Sequence, residues 1–73
     1  MQKGDVVRIQ ASDLYAGKRT KSLVQENGPI FVFHDVKFTK IDDVPIEAVL
    51  VESQETEWMG WLPINELKHV ESV

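Results

Sequence analysis

Apolar and polar residues alternate along most of this chain, the period of a strand with one buried face. Asp5 to Gln10 opens the pattern, with Val7, Ile9 and Ala11 on one face and Arg8 and Gln10 on the other. Periodicity is then lost over residues 11–22, which predicts a loop whose Leu14-Tyr15 pair folds back on the core. Leu23-Val24 reads as a brief strand ahead of a turn at Asn27-Gly28-Pro29. Ile30 to Ile41 is the longest strand candidate. Phe31 and Phe33 share one parity whereas Val36 and Phe38 take the other, so a bulge or sharp bend is expected at His34-Asp35.

Asp42-Asp43-Val44-Pro45 predicts a turn, and Ile46 to Glu52 carries apolar residues on both parities, as a central strand covered on both sides would. Gln54-Glu55-Thr56 is a polar hairpin tip, from which Glu57 to Leu62 returns antiparallel. Pro63 has no amide hydrogen to donate and stops the ladder. Ile64-Asn65-Glu66 then predicts one turn of 3₁₀ helix, and Leu67 to Val70 a last strand. Five or six short antiparallel strands with almost no helix describe an all-β small barrel. Closure removes exposed edges, which lets a single domain over residues 1–73 succeed at this size.

The segment Gly60-Trp61-Leu62-Pro63-Ile64-Asn65-Glu66-Leu67-Lys68-His69-Val70 resembles the closing motif of SH3 domains. In that family a glycine, an apolar residue, a buried aromatic or aliphatic residue, a proline, a variable residue, an asparagine and a tyrosine follow one another, and two apolar residues complete the motif. Gly60, Pro63 and Asn65 stand in register, Leu62 takes the buried slot, and Leu67 and Val70 take the last two. The resemblance implies an SH3-like barrel in which Pro63 and Asn65 line a peptide groove. Glu66 stands where the family has its ligand-binding tyrosine, and the first loop lacks the family's tyrosine-rich signature, which argues against binding of proline-rich peptides. The opening Lys3-Gly4-Asp5-Val6-Val7-Arg8-Ile9 also resembles the start of several bacterial SH3-like barrels, among them small accessory subunits of photosystem I. Toxin ribonucleases of the MazF type open similarly, but their Arg-Pro pair is replaced here by Lys21-Ser22-Leu23.

Charge narrows the partners. Residues 1–21 hold five bases and two acids, a net +3, whereas residues 22–73 hold three bases and ten acids, a net −7. The total of −4 repels phosphate backbones, so nucleic acid is disfavoured as a general partner. Lys18, Arg19 and Lys21 beside Gly17 form a basic run at the expected loop tip, the alternative contact for a phosphate or a nucleic acid. Three charges on a loop are more often only solvated. The chain has no cysteine, which excludes disulfides, thiolate metal sites and thiol catalysis. His34 and His69 lack ligand spacing, so no metal or cofactor is expected. A barrel this small has little room for a pocket that excludes water, and no enzymatic activity is expected. The Met1 to Asp5 segment leads directly into a strand, and no apolar run reaches the length of a signal or membrane segment, so a cytoplasmic protein without membrane insertion is expected.

These readings leave a protein partner, met by a non-catalytic interaction module or accessory subunit. Trp58 shares parity with Gly60 and Leu62, which favours a core position over a surface one. Trp61 has the opposite parity, on the outer face beside Pro63, where it is either an interaction anchor or one of the scattered apolar residues normal to a surface. Pro63 and Asn65 have a purely local reading as a strand stop and a tight turn. The candidate partner-binding set is Tyr15, Trp61, Pro63, Asn65 and Glu66.

Overall fold

The computed structural model describes residues 2–72, with side chains for all of these except 41 and 69–72. Strand β1 spans Val6–Ala11, and its alternation is the one the sequence predicts: Val7 and Ile9 are fully buried between exposed neighbours. Ser12 then turns the chain, its Oγ accepting the N–H groups of Leu14 (3.3 Å) and Tyr15 (3.1 Å). Leu14 and Tyr15 do not fold back on the core. They are 84% and 74% exposed, in a turn that the Ser12 hydroxyl holds by its backbone N–H groups.

The main departure from the expected all-strand pattern follows. Residues Lys18–Asn27 form a ten-residue helix, α1, where a loop and a brief strand at Leu23-Val24 were expected. Its inward stripe is Thr20, Leu23, Val24 and Asn27, the spacing of one helix face. Two of those four positions are polar, so hydrophobic periodicity alone does not reveal the helix. Asn27 is the keystone of its C-terminal end. The Asn27 Nδ2 donates to the Leu23 carbonyl (2.9 Å), the Ser53 hydroxyl donates to the Asn27 carbonyl, and the Thr56 hydroxyl donates to Asn27 Oδ1. Gly28 stops the helix, its N–H donating to the Val24 carbonyl at 2.8 Å.

Strands β2 (Ile30–Ile41) and β3 (Val44–Ser53) form a long hairpin, joined by Asp42 and Asp43 with φ of 51° and 62°. That two-residue turn is shorter than the four residues expected, and Val44 and Pro45 already belong to β3. The pairing register shifts between Phe33 and Asp35, the bulge that the parity switch predicts. It returns Val36 to the row of Val49, on the face shared by Phe31 and Phe33. Strand β4 (Met59–Pro63) pairs with β3, Ile64–Glu66 makes the expected 3₁₀ turn, and β5 (Leu67–Ser72) pairs with β1.

The result is one antiparallel five-stranded sheet in the order β4-β3-β2-β1-β5. Its hydrogen bonds do not close into a barrel: β4 and β5 are edges, connected by the 3₁₀ turn. Val7, Ile9, Phe31, Phe33, Val49, Val51 and Leu62 pack on the inner face, with Val24 of α1 joining them. Trp58 completes this core from its rim, edge-on to Phe31 with 6.5 Å between ring centroids. Gly60 is required beneath it, since a Cβ there would lie 2.5 Å from Trp58 Cζ2. No helix among the described residues is long and apolar enough to cross a membrane.

Candidate functional site

Register decides which side chains share the outer face of the sheet. Lys37 lies opposite Ala48, and Ala48 opposite Pro63, so one row crosses three strands. The next row is Asp35, Leu50 and Trp61. Trp61 therefore sits on the outer face, as its parity predicts, and is half-buried there. The Lys37 Nζ stands 4.2 Å from the centroid of the Trp61 ring, a cation–π contact reaching diagonally across β3.

A groove of about 270 Å³ runs over these rows, with Trp61, Pro63, Ala48 and Ile46 as its apolar lining. Thr39, Lys37, Arg19 and Glu66 supply its polar rim. Arg19 arrives from the first turn of α1, and the reason α1 lies there is Glu66. One carboxylate oxygen of Glu66 accepts the N–H of Gly17, the residue that precedes the helix. The Ser12 N–H donates to the Glu66 carbonyl at 2.8 Å, so the 3₁₀ turn holds the entry to α1 at two points. A carboxylate at a helix N-terminus is favourable, and here it offsets a first turn that carries Lys18, Arg19 and Lys21 and no acid.

The candidate residues thus divide. Trp61, Pro63 and Glu66 meet in the groove, joined by Arg19 from the basic run. Glu66 is already engaged with the backbone of Gly17, which makes it first a tie between two elements. Asn65 is exposed and lines a different hollow of about 290 Å³, with Val44, Pro45 and Glu47. Tyr15, in the exposed turn before α1, does not line the groove. The basic run is not a loop tip but the start of a helix, and its members point apart. Lys21 borders a hollow of about 400 Å³ between α1 and β1, with Asp13 on the same rim, and Lys18 lines neither cavity.

Lys37, Thr39, Ile46 and Ala48 line the groove and are not among the candidates the sequence marks. Their signal lay in strand register: once the bulge at His34 is placed and β2, β3 and β4 are paired, Lys37 falls on the face of Trp61. A second unforeseen feature is Phe38, 77% exposed on the β2–β3 hairpin, where the paired strands outrun the core.

Two close contacts between titratable side chains lie elsewhere among the described residues. His34 Nε2 lies 2.9 Å from Glu52 Oε1, and the exposed Lys68 and Asp13 pair at 3.9 Å. Among the described residues no group of three or more His, Asp or Glu side chains is assembled that could hold a metal ion. The His69 side chain lies outside the described residues. No protein-family model matches this chain, and comparison with curated proteins and with solved structures gives no match.

Proposed function

We propose that this chain is an SH3-like small barrel acting without catalysis, a protein-interaction module or small accessory subunit that docks its partner in the Trp61–Pro63 groove. Several features support the fold half of this reading. The bulged β2 serves both ends of the sheet, pairing β1 before the bulge and β3 on both sides of it. The 3₁₀ turn joins β4 to β5 in the segment that resembles the SH3 closing motif, and α1 stands where that family has its long first loop.

The functional half rests on one observation: a half-buried indole kept outside the core, beside a proline and under a lysine, in a groove lined by β2, β3, β4, the 3₁₀ turn and the start of α1. Tryptophan offers large contact area at low entropic cost, and such anchors dominate many interfaces. Proline-rich ligands are not proposed, because Tyr15 is the only tyrosine and Glu66 occupies the family's tyrosine position while bound to Gly17. Selection of short randomised peptides against the protein, followed by amide and indole NMR mapping, tests this reading. Binders are expected to shift the Trp61 indole N–H and the backbone of Lys37 and Ala48. Binders that leave these signals unmoved would place the docking surface elsewhere.

A further inference from the structure

We infer that the occupant of this groove is an acidic protein segment, with an apolar side chain against Trp61 and Pro63 and carboxylates meeting Arg19 and Lys37; this rests on the docking reading above. The argument is charge complementarity within a protein whose overall balance is the opposite. The chain carries −4, and residues after 21 carry −7, so most of its surface repels carboxylates. The groove departs from that balance. Its rim holds two cations and one carboxylate, and that carboxylate already accepts the Gly17 N–H.

Other hollows differ. The one beside Asn65 and the one beneath Val36 each carry Glu47 as their only charged side chain. The hollow between α1 and β1 balances Asp13 against Lys21. Among the described residues, Arg19 and Lys37 stand in no ion pair. Lys37 meets Trp61 through its charge and not through a hydrogen bond, so its ammonium N–H groups remain for a carboxylate. Arg19 presents a planar fork that matches a carboxylate in two contacts. The apolar lining of Ile46, Ala48, Trp61 and Pro63 takes the side chain between them, which a uniformly charged ligand would leave unfilled.

The experiment is the selection of randomised short peptides against wild-type protein, with hits sorted by net charge and mapped at the Trp61 indole. Acidic hits that shift Trp61, and that lose about tenfold or more in affinity when their Asp and Glu become Asn and Gln, support the inference. Neutral or basic hits that shift Trp61 overturn it while leaving the docking groove standing. Hits that never move Trp61 remove both.

Three variants locate the charges. R19Q and K37Q should each weaken an acidic hit about three- to fivefold, whereas K18Q, equal in charge change but outside the groove, should not. Equal weakening by all three would mean diffuse attraction and no built site. R19E together with K37E should turn the preference towards basic peptides. A single-stranded oligonucleotide that saturates the same signals, with affinity falling steeply as salt rises, would overturn the inference in favour of a nucleic acid. The amide comparison uses wild-type protein alone, so a variant that fails to fold leaves the test intact.

Discussion

Replacing Glu66 by alanine separates a structural role from a ligand-binding one at the position where SH3 domains keep a tyrosine. The perturbation removes the carboxylate that accepts the Gly17 N–H at the start of α1. Two terms are lost. Loss of a capping acceptor costs about 0.5–2 kcal/mol. Loss of a negative charge at the helix N-terminus costs about 0.3–1 kcal/mol. The second term is retained near its full size here, because Lys18, Arg19 and Lys21 occupy the first turn and no acid accompanies them. Glu66 is partly exposed, so solvent replaces some of the lost bond, and a net loss of about 1–2 kcal/mol is expected. For a domain of this size that lowers Tm by roughly 5–15 °C. E66Q keeps an acceptor without the charge and should lose about 0.3–1 kcal/mol. Chemical denaturation of both variants, with the Gly17 amide followed by NMR, measures the effect. Stability unchanged within about 0.3 kcal/mol and an unshifted Gly17 amide would refute the tie between the 3₁₀ turn and α1.

Further outcomes follow from the packing. Leu62 is fully buried in the core, so Leu62→Ala should cost about 2–5 kcal/mol in urea unfolding, and a loss below about 0.5 kcal/mol would contradict the placement of β4. At Gly28 an added Cβ would lie 2.7 Å from Phe31 Cε2 and 2.8 Å from the Val24 carbonyl oxygen, a backbone atom that cannot step aside. Gly28→Ala should therefore destabilise by about 1–3 kcal/mol; a neutral melting curve would show that the α1 exit is looser than described. Short duplex or single-stranded oligonucleotides at physiological salt should give no saturable binding by fluorescence anisotropy, given the net charge of −4. Micromolar affinity with a steep salt dependence would contradict this.

What could be read from the chain depended on how local its signals were. β1, the bulge at His34, the 3₁₀ turn and the polar tip at Gln54–Thr56 each announce themselves within a few residues, by alternation, parity switch, Pro63 or turn chemistry. Helix α1 is illegible by the same signals because two of the four residues on its inward face are polar. Thr20 and Asn27 are buried as fully as Val24, and Asn27 is satisfied by Ser53 and Thr56, which lie far along the chain. Its first turn also inverts the usual start signal, placing bases where acids are favoured and relying on Glu66 from the other end of the sequence. One clue was present. Asn27-Gly28-Pro29 is a helix stop as well as a turn signal.

The site was half legible for the same reason. Parity and resemblance, both properties of one strand, make Trp61 and Pro63 candidates. Lys37, Ile46 and Ala48 join them only through the pairing of β2, β3 and β4, which no single segment encodes. Sequence neighbourhood and analogy group Asn65 and Tyr15 with Trp61, yet one faces the hairpin hollow and the other stands in an exposed turn.

The docking groove is tested most directly by measuring, on one preparation of Trp61→Ala, both thermal melting and affinity for a peptide selected on the wild-type protein. The indole is half-buried and meets Lys37 across the sheet, so its loss should cost about 1 kcal/mol of stability, a fall of roughly 4–8 °C in Tm. Affinity per folded molecule should weaken by about 2 kcal/mol, close to thirtyfold. A collapse of melting with affinity per folded molecule unchanged would contradict the account, making Trp61 a structural residue and the groove no interface.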